Sequence, residues 1–140
     1  MIKDVIIKIK GTQEIDGNTE TIELTTDGRF GFKDGKYFFS YEERQPTDNL
    51  LIKTQVFVTP PDSFVIQRSG TVSSRMEMQK GKKNSCFYSM PEGSLLIGVY
   101  TEKVDIDLCE SGGTMKAVYT LDSGMKIISR NTVKITVKEV

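Results

Sequence analysis

The chain contains no histidine among its 140 residues. That absence excludes Ser-His-Asp and Cys-His catalysis, imidazole acid–base chemistry and histidine-based zinc sites. An enzyme built on this sequence would have to run on carboxylates, lysines, tyrosines or an unassisted cysteine, so a catalytic role is not expected. Net charge is missing as well. Nineteen Lys and Arg balance nineteen Asp and Glu, and no overall field favours nucleic acid or an anionic membrane surface. No apolar run is long enough to cross a bilayer. Cysteine is scarce: Cys86 and Cys109 sit in strand-like contexts without CxxC spacing. Both read as buried fillers, because no helix N-terminus or protonated histidine is on hand to favour a thiolate. The opening MIKDVIIKIK alternates like a strand and lacks the apolar core and small-residue cleavage site of a signal peptide. The expected compartment is the cytoplasm, with both thiols free. Helical periodicity is also lacking. Nowhere does apolar spacing of three and four persist for three turns, so helix is expected to be minor or absent.

What is present describes one folded domain over residues 1–140, long enough for a real core. Six of the twelve aromatic residues fall within Gly28 to Arg44, around Asp34-Gly35. Asp-Gly favours a two-residue type I′ turn, in which both central residues take positive φ. That turn pairs Lys33 with Lys36, Phe32 with Tyr37, Phe30 with Phe39 and Gly28 with Tyr41. Side chains alternate across a strand, so Phe30, Phe32, Tyr37, Phe39 and Tyr41 share an inner face, while Arg29, Lys33, Lys36 and Ser40 take the outer one. Only Phe38 is out of phase.

Alternation continues along the chain. Strands are expected over Ile2 to Lys10 and Thr19 to Thr26, the second running through a bend at Asp27-Gly28 into Phe32. Gln45 to Asn49, with Pro46, reads as a loop. Further strands cover Leu50 to Thr59, Ser63 to Arg68, Thr71 to Gln79 and Asn84 to Met90. Ser94 to Leu108 reads as a long strand, split near Glu102-Lys103 and bent at Gly98. Thr114 to Leu121 and Lys126 to Val140 complete the set. Gly, Pro and Asp clusters separate them. About ten strands joined by short local turns predict an all-β, antiparallel up-and-down barrel of about eight to ten strands, since a Greek key needs longer connections.

The series Asp34-Gly35-Lys36-Tyr37, Tyr41-Glu42-Glu43, Arg68-x-Gly70, Gly93, Tyr119-x-Leu121 and Asn131 resembles the YwiB-like proteins. These are small bacterial proteins with a calycin (lipocalin-like) barrel and no established role. The resemblance runs over most of the chain and rests on the order and spacing of short motifs. It implies a calycin-like barrel and a bacterial cytoplasmic protein, and it supplies no catalytic residues. The chain departs from the pattern at Glu92, where an aromatic residue is expected before Gly93.

Two groups of residues are candidates for function. Arg68 is in phase with Phe64 and Ile66, and Glu43 with Tyr37, Phe39 and Tyr41, so both charges point inward. An unpaired buried charge is costly. Either the two meet as an ion pair that closes the barrel, or Arg68 anchors the carboxylate or phosphate head of a ligand. The second group is Phe30, Phe32, Tyr37, Phe39, Met76 and Met78, which either fill a small barrel or line a cavity in a wider one. With Tyr41 these residues form the candidate ligand-binding set. Of the other phenols, Tyr119 belongs to the same discussion, while the phase of Tyr88 and Tyr100 is open.

The remaining features are bland. Lys80, Lys82 and Lys83 form a solvated tip without the interleaved aromatics of a nucleic-acid site. Glu42, Glu43, Asp105 and Asp107 follow no hydrolytic spacing, and no metal loop or cofactor motif is present. The expected function is binding of a small apolar or amphipathic molecule in the lumen, with no nucleic acid and no membrane insertion. The alternative is a filled barrel that interacts through its outer surface or an edge strand, where Phe38 would mark the patch.

Overall fold

Ten strands, each paired with its sequence neighbours, make up almost all of the described chain. The structure, a computed structural model, describes residues 2–44, 51–124 and 126–140, apart from the Met90 side chain. The strands are β1 (Ile2–Ile15), β2 (Asn18–Lys33), β3 (Lys36–Arg44), β4 (Leu51–Thr59), β5 (Ser63–Gly70), β6 (Ser73–Gln79), β7 (Lys83–Met90), β8 (Gly93–Cys109), β9 (Gly112–Ser123) and β10 (Lys126–Glu139). All pairs are antiparallel, and β1 pairs with β10 to close a barrel. The predicted up-and-down barrel is therefore present, at the upper end of the expected strand count. The expected Gln45 to Asn49 loop lies outside the described residues.

Local chemistry explains the path. Asp34 and Gly35 have φ of 53° and 74°, and Asp16 and Gly17 have 49° and 80°. Both Asp-Gly pairs thus form the positive-φ turns that match strand twist. The aromatic hairpin has the expected register, Phe32 opposite Tyr37 and Phe30 opposite Phe39. At Gly28, β2 continues without a break. A Cβ there would collide with the Ile7 side chain and the Ser40 carbonyl, so glycine lets β2 pass tightly over the core. The expected split in β8 is instead a register shift between Thr101 and Lys103, which leaves one bent strand. Phe38 faces outward, but its ring covers Gly31 and is half-buried, so the exception in the pattern is local packing.

An up-and-down barrel alternates its turns between two ends. Asp34-Gly35, Pro60 to Asp62, Lys80 to Lys82 and Glu110-Ser111 lie at one of them. Here Phe30, Phe39, Phe64, Met78 and Met115 are at most 1% exposed. Phe30 stacks on Tyr37 with ring centroids 5.9 Å apart, and Phe32 tilts against Tyr37 at 4.9 Å. The Tyr37 hydroxyl then donates to the Leu108 carbonyl on β8 at 2.9 Å, reaching across the interior. The aromatic hairpin is the floor of the barrel. Each fully buried large side chain contributes about 1.5–3 kcal/mol, so this end holds much of the fold's stability.

The wall is thinnest between β6 and β7, where only Ser73–Ser89 and Ser74–Tyr88 are in register. Side-chain and turn contacts take over beyond that point. The Asn84 amide donates to the Glu77 carbonyl at 2.9 Å, and the Gly81 N–H donates to the Thr101 carbonyl at 2.8 Å. The lysine tip is therefore pinned to β8 by its backbone, while Lys80, Lys82 and Lys83 remain exposed.

Candidate functional site

Above the floor the same alternation leaves space. The lumen holds a cavity of about 560 Å³, bounded below by Ile9, Val56, Ile66 and Ile135. Its rim includes Ile22, Leu95 and Ile128, which are 69%, 53% and 41% exposed, so the cavity opens at the end opposite the floor. Cavities of roughly 300–1,000 Å³ with apolar walls and a few polar groups are the usual form of small-molecule sites.

The polar groups come in two cross-strand rows. Register sets Tyr41 opposite Thr54, Thr54 opposite Arg68, Arg68 opposite Ser74 and Ser74 opposite Tyr88. The second row runs Thr101, Tyr119, Asn131, Gln13 and Glu20 across β8, β9, β10, β1 and β2. Five polar residues are buried: Thr54, Ser74, Thr101, Ser129 and Asn131. Four of them stand in these rows, and the fifth, Ser129, accepts a hydrogen bond from the Asn131 amide at 3.0 Å. Of these five, Ser129 and Asn131 line the cavity, while Thr54, Ser74 and Thr101 sit in the rows without lining it.

Arg68 is the cation that joins the rows. Its charge acts on both Tyr41 and Tyr119. Burial pushes both phenols above the ordinary tyrosine value, and Arg68 offsets only part of that rise, so each remains a hydroxyl donor at neutral pH. Three buried polar atoms have no hydrogen-bond partner among the described residues: Arg68 Nε, Thr54 Oγ1 and Thr101 Oγ1. Thr54 is near enough to Tyr41 to lower its pKa slightly, yet its hydroxyl makes no well-aligned hydrogen bond. All three orphans belong to the two rows. Closed cores rarely tolerate such groups, because each costs about 1–3 kcal/mol.

The nine predicted residues divide by height in the barrel. Tyr41, Arg68 and Met76 line the cavity. Phe30, Phe32, Tyr37, Phe39 and Met78 do not line it. They build the floor, since they lie nearer the Asp34-Gly35 end of their strands. Glu43 is inward-phased and half-buried one layer above Tyr41, and its charge raises the Tyr41 pKa. The expected ion pair is not formed. Glu43 sits opposite Ile52, two residues further along β3 than the Arg68 row, and no salt bridge joins it to Arg68.

The cysteines also separate. Cys86 is buried and lines the lumen, and burial raises its pKa. Cys109 corrects the buried-filler reading. It ends β8 beside a turn, is exposed, and its Sγ lies 3.0 Å from the Ser111 hydroxyl, which lowers its pKa. Tyr88 faces the lumen and Tyr100 is exposed outside.

Sequence reasoning passed over Thr54, Ser74, Thr101 and Asn131 as site residues, although a signal was there. Each is a small polar side chain inside an otherwise apolar alternating phase, as Thr54 is between Ile52 and Val56. Among the described residues no group of three His, Cys, Asp or Glu side chains is placed to hold a metal ion.

Comparison with known proteins agrees with this architecture. The chain is 31% identical over 120 residues to the uncharacterized beta-barrel protein YwiB of Bacillus subtilis (strain 168), covering 86% of this chain and 82% of that protein. The crystal structure of the ywiB protein from Bacillus subtilis superimposes with a TM-score of 0.88 at 27% identity, covering 99% of this chain and 93% of the other. The family described as "Domain of unknown function (DUF1934)" matches residues 7–135. With that match spanning most of the barrel, the chain belongs to this YwiB-like family of beta-barrel proteins whose function is unknown.

Proposed function

We propose that this protein binds a small, partly apolar molecule in its barrel lumen. The observation that carries the reading is the one-ended cavity of about 560 Å³, whose apolar wall also bears Arg68, Tyr41 and Tyr119 and the buried polar residues Ser129 and Asn131. A barrel selected only for stability would fill that space, since empty volume forfeits dispersion contacts and orphaned polar atoms add their own cost. The lack of histidine supports a binding role over a catalytic one, and the reading needs no cofactor, nucleic acid or membrane.

The experiment is a displacement titration with a neutral, environment-sensitive dye such as N-phenyl-1-naphthylamine, alongside thermal unfolding. Dye fluorescence is expected to rise on binding and fall when amphiphiles compete. A ligand at a hundred times its dissociation constant should add about 2.7 kcal/mol of apparent stability. Absence of both dye uptake and any ligand-induced shift across an amphiphile panel would sink the reading.

The alternative role as a surface-acting protein draws on one observation. Phe87 and Leu96 are opposite each other on β7 and β8 and are 67% and 55% exposed. Closure of the barrel argues against docking through an edge strand. Substituting both residues with serine leaves dye uptake intact if the lumen is the working site.

A further inference from the structure

We infer that the lumen's ligand carries a single negative charge, a carboxylate, seated at Arg68 between the phenols of Tyr41 and Tyr119. This rests on the lumen-binding reading and adds the chemistry of the head group. Three observations point to it independently.

The first is the orphaned donor. Arg68 is half-buried as a residue, but its Nε is fully buried and without a partner among the described residues. A half-buried cation in the wall of an apolar cavity draws a counter-ion or water, because charge withdrawn from water without a partner is costly. The second is that none of the described residues supplies the counter-ion. Glu43 does not pair with Arg68, and Glu20, the acidic residue among the cavity-lining side chains, is exposed at the rim. The third is the donor set. Tyr41 and Tyr119 both lie within reach of the Arg68 charge, and both keep their hydroxyl protons because burial disfavours the phenolate. The Tyr41 oxygen takes a hydrogen bond from the guanidinium, which leaves the buried Nε–H without an acceptor and both phenol O–H groups free to donate. The site therefore has donors to spare and asks for an acceptor. Planar carboxylates fit guanidinium geometry and strengthen it with charge-assisted bonds.

Charge arithmetic narrows the class. One cation facing the cavity balances one negative charge. A phosphate monoester is mostly dianionic above neutral pH. It would leave an uncompensated negative charge in the lumen below Glu43. The apolar walls of Ile9, Val56, Ile66 and Ile135 then take the hydrocarbon of the same molecule.

The test compares three ligands of equal chain length on the full chain at pH 8 by calorimetry: decanoate, decanol and decyl phosphate. Decanoate is expected to bind roughly ten- to a hundredfold more tightly than decanol, the usual worth of a charge-assisted bond. It should also bind more tightly than decyl phosphate. Arg68→Met is expected to bring the acid-to-alcohol ratio to about one, and Arg68→Lys to leave a reduced preference. Tyr119→Phe should lower the ratio by a smaller factor. The wild-type comparison does not depend on how the variants fold. Equal or tighter binding of decanol overturns the carboxylate assignment while leaving lumen binding intact. Tighter binding of the phosphate overturns the charge arithmetic. If none of the three binds and none displaces the neutral dye, the lumen reading fails with it.

Discussion

The two ends of this barrel follow one alternating pattern to opposite results. At the floor, Phe30, Phe39, Phe64 and Met78 fill the interior, and Tyr37 reaches across it to the Leu108 carbonyl. At the mouth, positions of the same inward phase carry Tyr41, Thr54, Arg68, Ser74 and Tyr88, with Thr54 Oγ1 and Arg68 Nε buried and unsatisfied. The floor has the apolar packing expected of a stable core. The mouth keeps groups that cost stability, and those are the groups a ligand could use. One end is packed as a core, and the other is left open with polar groups inside, as the proposed binding role requires.

The comparison breaks most sharply at the floor. Phe39→Ala removes a fully buried ring from the centre of the aromatic hairpin. It is expected to cost about 3–5 kcal/mol in urea unfolding, the usual range for a buried Phe. The mouth should respond the other way. Arg68→Met deletes a charge with an orphaned donor and replaces it with a flexible apolar chain. Unfolding stability is expected to rise by about 1 kcal/mol, because the variant no longer holds an unsatisfied buried group. Anion binding should be lost in the same protein. A marked loss of stability in Arg68→Met would mean that Arg68 is a structural strut and that the two ends do not differ in kind.

The sequence discloses these ends unequally. The floor could be read because Asp34-Gly35 fixes a turn, the turn fixes a register, and the register gathers five aromatic rings on one face. Strand count and closure followed from short links and steady alternation. Height within the barrel did not. Two residues of the same phase look alike in sequence whether they pack at the floor or line the cavity, so alternation alone groups Phe30 with Tyr41. Height depends on how strands are staggered around a closed barrel, a property of all ten pairings at once. The Glu43–Arg68 pair failed for that reason. Both point inward, but register puts them in different layers. Phe38 failed otherwise, since only its cross-strand neighbour Gly31 explains an outward ring.

Alkaline pH offers a milder test confined to the mouth. Tyr41 and Tyr119 have pKa values raised above the ordinary 10.0 by burial. In the unfolded chain they lose protons from about pH 10 upward, while the folded protein holds them. The unfolded state then binds fewer protons, so stability falls as pH rises past 10 towards the folded values. Below that window these two groups contribute no slope. The double variant Tyr41→Phe with Tyr119→Phe should show a shallower decline than wild type in thermal unfolding between pH 9 and 11. Identical slopes would mean that the phenols reach solvent as freely in the folded barrel as in the open chain.

The smallest effect expected is also the most local. Cys109 is exposed near the floor turns, with its pKa lowered by the Ser111 hydroxyl, whereas Cys86 is 3% exposed, lines the lumen, and has its pKa raised by burial. The thiolate is the reactive form, so a maleimide should modify Cys109 quickly and Cys86 slowly at pH 7.5. Read by mass spectrometry after proteolysis, the two rates report one end each. A lumen ligand should slow Cys86 further and leave Cys109 unchanged, because only the former shares the cavity with Met76 and Ile66. Equal slowing of both thiols would indicate general stabilisation of the barrel, and slowing of Cys109 alone would put the ligand at the wrong end.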